Sequence, residues 1–179
     1  MQRPEDIIGI VLAGGKSSRM GGCDKALLPL GGRPLLAHVI EHLTPQVAEI
    51  VLNANDDPGR FAVFGLPLAA DRLAGQMGPL AGVHAGFAWA KANRPEHRFV
   101  ITVAADTPFF PADLVSRLCA ATSMTDPKLV VARSGLWPVS LAPRLEDSLR
   151  RGAAGEGGDV PGHRNRGEGG RSFLQHQPA

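Results

Sequence analysis

The chain has 179 residues, of which 44% are apolar and 20% charged, and its formal net charge at pH 7 is +2. This composition can bury a domain-sized core and lacks the charge-rich pattern of disordered proteins. It gives no reason to expect nucleic-acid binding, and two cysteines are too few for a disulfide framework or a closed cysteine zinc site. With no apolar run long enough to span a bilayer and with acids near the N-terminus, we expect a cytoplasmic protein without membrane association.

Strand and helix patterns alternate along the chain. A continuous apolar run at residues 7–12, rich in β-branched side chains, predicts a strand that is buried on both faces. Further strands are predicted at residues 49–53, 99–103 and 128–132, and helices at residues 34–43, 78–93, 111–121 and 143–151. This alternation is typical of a doubly wound, mostly parallel α/β sheet, and we expect one such domain over residues 1–150.

A glycine-rich basic segment follows the first predicted strand. Two glycines are followed by Lys16, Arg19 and Lys25, with Asp24 as the opposing acid. The spacing fits neither the P-loop nor the dinucleotide-binding glycine pattern. Glycines after a strand still let backbone N–H groups approach an anion closely. The segment is therefore either a phosphate-binding loop or a glycine turn with a solvated basic face.

The carboxyl ends of the predicted strands carry polar residues. Asn53 ends the second strand, and Asp106 follows the third. In open α/β sheets, ligands bind outside these strand ends, so the basic loop, the amide and the carboxylate should converge there. A carboxylate beside a triphosphate commonly holds Mg²⁺. Asp106 is therefore predicted as a metal ligand, with a turn-capping role before Pro108 as the alternative.

Several longer motifs lie at the same predicted strand ends. From Leu12 the sequence reads Leu-Ala-Gly-Gly-x-Ser-x-Arg-Met-Gly-x-x-Asp-Lys-x-Leu-Leu, and later segments include Asn-Ala-Asn from Asn53, Asp71, Gly-Pro-Leu-Ala-Gly at 78–82 and Asp-Thr-Pro from Asp106. Over residues 7–150 this resembles the nucleotidyltransferases of the molybdenum cofactor. The resemblance implies a Rossmann-like three-layer α/β/α domain. It also implies that GMP is transferred from Mg²⁺-bound GTP to the terminal phosphate of molybdenum-bound molybdopterin, with release of pyrophosphate.

The resemblance also implies roles for individual residues. The implied nucleotide site consists of Leu12, Ala13, Gly14, Gly15, Lys25, Asn53, Asp71 and Asp106. In that site Lys25 lies on the phosphates, Asp106 binds Mg²⁺, and Gly15 favours guanine because cytidylyl relatives carry Ala-Ala-Gly in that loop. Arg19, Lys25 and Asp106 are the implied catalytic residues. Since the attacking group is already a phosphate anion, no protein nucleophile is needed.

The implied partners are GTP and molybdenum-molybdopterin, with cofactor-delivery or molybdoenzyme-maturation proteins as further candidates; we expect a monomer. Two other functions stay open. One is a nucleotidyltransferase with another small acceptor, such as a sugar phosphate, or with CTP and a pterin. The other is a non-catalytic carrier of GTP or cofactor. His38 and His42, four residues apart, lack the intervening Glu of a zinc-protease motif and are predicted to be solvated helix residues.

The last residues depart from the family pattern. Residues 151–179 contain eight glycines and almost no apolar periodicity, which predicts a disordered tail. The family ends in a Phe-x-Asn-x-Asn-Thr-Pro motif that contributes to acceptor binding, and this chain lacks it. Codons for residues 171–177, read one nucleotide later, allow Asp-Pro-Phe-Phe-Asn-Ile-Asn. We therefore hypothesise a frameshift, in the gene or in its recorded sequence, shortly after Arg151, which resequencing of the locus would test.

Overall fold

A computed structural model describes residues 6–13, 25–55, 57–73, 78–121, 130–131 and 135–151. The strands in these residues are β1 (Ile7–Leu12), β2 (Pro29–Leu30), β3 (Arg33–Pro34), β4 (Glu49–Asn53), β5 (Leu68–Ala69), β6 (Phe99–Ala104), β7 (Val130–Val131) and β8 (Gly135–Pro138). The α-helices are α1 (Leu35–Leu43), α2 (Pro79–Asn93), α3 (Leu114–Ala120) and α4 (Ala142–Arg150). None of the helices in the described part of the chain is long and apolar enough to cross a membrane.

Six of the strands form one sheet in the order β5-β4-β1-β6-β8-β7. The four strands β5, β4, β1 and β6 run parallel to one another. Strand β8 is antiparallel to β6, and β7 is antiparallel to β8. The predicted mostly parallel sheet is confirmed. In its parallel part, β4 and then β5 lie on one side of β1, and β6 lies on the other side.

Both faces of the sheet are covered, as the continuous apolar runs predict. Ile7 and Val11 of β1 pack on the face that holds α1 and α3. Ile8 and Ile10 pack on the opposite face, against α2 and apolar residues of α4. Side chains alternate across a strand, so a strand with a helix on each face must be apolar at nearly every position. This arrangement is the expected α/β/α sandwich.

Glycines let two helices approach the central strand closely. A Cβ added to Gly9 would lie 2.9 Å from Leu43 Cδ2 of α1, and one added to Gly86 of α2 would lie 2.7 Å from Ile10 Cγ1. At these distances a real side chain must displace its neighbour, so each helix depends on a glycine to pack at its present depth.

The structure corrects several predicted boundaries. Pro34 does not open α1 but ends β3, where it pairs with Pro29 in a hairpin whose turn is made by Gly31 and Gly32, both at positive φ. The third helix begins at Leu114 rather than 111, after a turn closed by the Leu114 N–H on the Pro111 carbonyl. The short strand β5 was not predicted, because two residues carry no measurable periodicity.

The far edge of the sheet also differs from the prediction. Of the strand predicted at residues 128–132, Val130–Val131 is described; it pairs antiparallel to β8 and therefore runs in the same direction as β6. Its partner β8 was not predicted as a strand. Trp137 of β8 is 7% exposed and packs edge-on against Phe87, with 6.5 Å between ring centroids. A strand that returns directly beside its predecessor needs no helical crossover, which is why alternation of strand and helix fails here.

The histidine prediction is partly wrong. His42 is exposed, as expected. His38 is half-buried, and its Nε2 lies 2.9 Å from the Leu30 carbonyl oxygen, so this ring joins α1 to the β2–β3 hairpin. This contact gives His38 a structural role. The tail at residues 152–179, with its predicted frameshift, lies outside the described residues.

Candidate functional site

The carboxyl ends of the four parallel strands form one continuous row. The register pairs Ala69 with Asn53, Asn53 with Leu12, and Leu12 with Ala104. Two further hydrogen bonds extend the pairing beyond the strands: the Ala13 N–H donates to the Asn53 carbonyl at 2.9 Å, and an N–H just after β6 donates to the Leu12 carbonyl at 3.1 Å. Residues that follow this row therefore emerge together at one edge of the sheet, as the sequence predicts.

A network of amides and a carboxylate lies just beyond the row. The side chain of Asn53 is buried, and its Nδ2 donates to the Ala69 carbonyl and to Asp71 Oδ1, both at 2.9 Å. Asn55 Nδ2 donates to Asp71 Oδ2 at 2.8 Å, and the Asp71 N–H donates to Asn55 Oδ1, also at 2.8 Å. Each carboxylate oxygen of Asp71 thus accepts one amide hydrogen. The carboxylate is half-buried and held in a fixed orientation at the edge of the sheet.

Helix α2 closes over this network at a glycine. A Cβ on Gly82 would lie 2.3 Å from Asn53 Oδ1 and 2.8 Å from Leu12 Cδ2. The helix begins after Gly78, which has φ +62°, a conformation that side chains other than glycine rarely adopt. The Gly-Pro-Leu-Ala-Gly segment therefore brings the amino end of α2 directly against Asn53 and the end of β1.

Asp106 lies on the other side of the β1 end. The preceding residue, Ala105, is 3% exposed and is anchored by its N–H on the Leu12 carbonyl. The N–H and the hydroxyl of Thr107 both donate to the Ala104 carbonyl, at 3.3 and 3.1 Å. These bonds fix the turn, while the Asp106 side chain is exposed. Its carboxylate is presented to solvent at the end of β6, as predicted.

The predicted site residues are thus brought together in part. Leu12, Ala13, Asn53 and Asp71 are joined by backbone pairing or direct hydrogen bonds, and Asp106 follows the neighbouring strand end. Lys25 is exposed at the start of a short 3-10 helix, residues Lys25–Leu27, which packs beside α1. The predicted contributions of Gly14, Gly15 and Arg19 lie outside the described residues.

The carboxylates at this site suit a magnesium ion whose remaining ligands are phosphate oxygens and water. Among the described residues, no three His, Cys, Asp or Glu side chains are grouped to hold a metal ion. Mg²⁺ is commonly held by one or two carboxylates together with substrate phosphates and water. The exposed Asp106 carboxylate can serve in this way, whereas both oxygens of Asp71 already accept amide hydrogens. Asp106 therefore fits the metal better than Asp71 does.

Sequence reasoning overlooked the contribution of Asn55. The Asn-Ala-Asn segment, which begins at the last residue of β4, was recognised, but a role was assigned to Asn53 and none to Asn55. In extended chain, residues two apart project to the same side, so an amide pair at a strand end predicts a shared partner. That partner is sixteen residues further along the chain, at Asp71.

Known proteins resemble this chain over most of its length. A curated molybdenum cofactor guanylyltransferase from Bradyrhizobium sp. (strain ORS 278) is 49% identical over 149 residues, which cover 79% of this chain and 70% of the relative. Another, from Mesorhizobium japonicum, is 47% identical over 152 residues, covering 80% and 73%. A solved structure of molybdopterin-guanine dinucleotide biosynthesis protein A from Archaeoglobus fulgidus has the same fold, with a TM-score of 0.58 and 21% identity over 82% of this chain and 74% of its own.

A second solved structure, a 4-diphosphocytidyl-2C-methyl-D-erythritol synthase from Anaerococcus prevotii, has a TM-score of 0.58 and 15% identity, covering 80% of this chain and 75% of its own. The fold is thus shared with a protein whose name refers to a cytidyl product. The family model described as the MobA-like NTP transferase domain matches residues 9–177. The chain therefore belongs to the family of MobA-like NTP transferases.

Proposed function

We propose that this protein transfers GMP from GTP to the terminal phosphate of molybdenum-bound molybdopterin and releases pyrophosphate. Family membership and relatives of 47–49% identity that carry the name molybdenum cofactor guanylyltransferase support this reaction. The observation that carries the proposal is the Asn53–Asp71 pair, 2.9 Å apart, beside the strand end that leads to Asp106. The carboxyl ends of these strands can bind the nucleoside of a nucleotide at one strand end and its phosphates at another.

The charges divide the site into two parts. The carboxylate of Asp71, held by two amides, repels phosphate and suits N–H or O–H donors of the base and ribose. Asp106 would hold Mg²⁺, which supplies charge neutralisation on the triphosphate. Lys25 and Arg19 would add positive charge to the same phosphates. The nucleoside would therefore lie on the β4–β5 side and the phosphates on the β6 side.

The reaction needs positioning more than a reactive side chain. A phosphate oxygen of the acceptor attacks the α-phosphorus of GTP, forming a new P–O bond, while the bond between that phosphorus and the bridging oxygen breaks and pyrophosphate leaves with the electron pair. The nucleophile is already an anion, so no proton has to be removed from it. The protein would contribute by aligning the two phosphates and stabilising the charge on the leaving pyrophosphate.

Nucleotide binding and turnover, measured separately, test the proposal. Binding of GTP, ATP, CTP and UTP is measured with and without Mg²⁺, followed by pyrophosphate release after addition of molybdenum-molybdopterin. We expect Mg²⁺-dependent GTP preference and stoichiometric pyrophosphate. Preference for CTP would instead support another nucleotidyltransferase, and GTP binding without pyrophosphate would support a carrier. Sedimentation velocity checks the expected monomer, and cell fractionation checks the cytoplasmic location.

A further inference from the structure

We infer that Asn55 is a positioning residue for the nucleoside half of the GTP site and acts through the carboxylate of Asp71. The inference rests on the proposed function, because it assigns a role within that nucleotide site. Asn55 makes paired hydrogen bonds with residue 71: its Nδ2 donates to Oδ2, and its Oδ1 accepts the backbone N–H, both at 2.8 Å. One side chain thus fixes both the carboxylate and the peptide that carries it.

The amide of Asn53 cannot do the same on its own. Asn53 has two Nδ2 hydrogens, one directed to the Ala69 carbonyl and one to Asp71 Oδ1. With that single contact, the Asp71 side chain could still rotate about the bond to its carboxyl group. The contact from Asn55 on the other oxygen removes this freedom. Each oxygen keeps a second lone-pair direction, so the fixed carboxylate can accept two hydrogens from a ligand.

The location of Asn55 argues against a purely architectural role. It is exposed, two residues beyond the end of β4, whereas Asn53 is 3% exposed and bonds the backbone of β5. The strand pairing at this end is already made by Asn53 and Ala69. The hydrogen bonds of Asn55 reach residue 71, beyond the end of β5, and so add nothing to the strand pairing. What these bonds do provide is a defined direction for the Asp71 carboxylate.

The test compares Asn55→Ala and Asn55→Asp with the unmodified protein. Affinity for GTP should fall about three- to tenfold in Asn55→Ala, the size expected if an Asp71 carboxylate that is free to rotate loses one of its hydrogen bonds to the nucleoside. Asn55→Asp keeps an acceptor for the Asp71 N–H but places a carboxylate against Oδ2, so its affinity should fall further. Inorganic tripolyphosphate, which lacks base and ribose, should bind equally to all three proteins. Asn93→Ala, which removes an exposed amide bonded to the Trp89 carbonyl, is the matched control and should bind GTP normally.

A double-mutant cycle decides whether Asn55 acts through Asp71. In the Asp71→Ala background, Asn55→Ala should have no further effect on GTP affinity. A full additional loss there would overturn the inference, as would an equal loss of tripolyphosphate binding or an unchanged GTP affinity in the single variant. Failure of the unmodified protein to bind GTP would instead refute the proposed function, so the two failures are distinguishable.

Discussion

The parallel part of the sheet and its antiparallel edge contain the same local arrangement, but it serves a different purpose in each. In each, a glycine leaves room for a polar side chain: Gly82 for the amide of Asn53, and Gly135 for the indole of Trp137, whose Nε1 a Cβ would approach to 2.4 Å. Asn53 donates a hydrogen bond to a half-buried carboxylate just beyond the carboxyl ends of the parallel strands. Trp137 Nε1 donates to Thr102 Oγ1 at 2.9 Å, and both groups are buried.

The difference teaches that strand direction determines where polar groups can act. Four parallel strands end at one edge, so the residues after them meet in a site. Strand β8 runs the opposite way, and all four of its residues are buried. Its polar group is satisfied within the core and has no route to a ligand. The parallel part is thus expected to determine binding, and the antiparallel edge stability.

Asp106→Ala should have the largest effect. Loss of the proposed metal ligand should lower Mg²⁺-dependent pyrophosphate release by about a hundredfold or more, because the phosphates lose charge neutralisation. Circular dichroism and the melting temperature should be unchanged, since the side chain is exposed. Asp113→Ala, another exposed carboxylate, at the start of α3, is the control. Near-normal activity of Asp106→Ala at low Mg²⁺ would contradict the metal assignment.

Lys25→Ala should weaken GTP binding more than GMP binding. The ammonium is proposed to contact phosphates that GMP lacks, and charge-assisted hydrogen bonds contribute about 1.5–3 kcal/mol. Calorimetry with both nucleotides measures the difference, and Lys91→Ala, an exposed lysine in the last turn of α2, serves as the control. An equal loss for the two nucleotides would assign Lys25 a structural role and restrict the site to the strand ends.

The pair Gly82→Ala and Gly135→Ala tests the comparison directly, because each adds one methyl group against a polar side chain. Overpacking of this kind costs about 1–3 kcal/mol. In Gly82→Ala the displaced Asn53 should reduce GTP affinity by roughly one to two decades. Gly135→Ala should lower the melting temperature and leave GTP affinity unchanged. If both variants lose affinity equally, the two regions are not functionally distinct.

The hydrogen bond between Trp137 and Thr102 should have the smallest effect and act on stability alone. Trp137→Phe removes the indole N–H that Thr102 Oγ1 accepts together with part of a buried ring, but the coupling energy of the hydrogen bond itself should be about 0.5–1.5 kcal/mol. Urea denaturation of Trp137→Phe, Thr102→Val and the double variant measures the coupling of the pair. Additive losses would show that the hydrogen bond contributes nothing. Altered GTP affinity would extend the functional region across β6.

Sequence patterns were sufficient for the central architecture because burial on both faces leaves a strong signal. Strand β1, Ile7–Leu12, and strand β4, Glu49–Asn53, have the predicted bounds. The same patterns led to Asn53, Asp71 and Asp106 through their places after strands or through the family resemblance. Their individual roles stay predictions, as do those of Gly14, Gly15 and Arg19 and the frameshift hypothesis for the tail.

What the sequence determined by itself was local or periodic: apolar runs, glycine loops and the order of strands and helices. The tertiary structure decided which distant residues meet. Nothing in the spacing of Asn55 and Asp71 indicates two hydrogen bonds. Nothing in the sequence near Gly82 indicates that Asn53 fills the space that a Cβ at position 82 would take. The reversal of direction at β8 was equally hidden. Such contacts depend on strand register and on the depth of helix packing, which are set by the whole core rather than by neighbours in the chain.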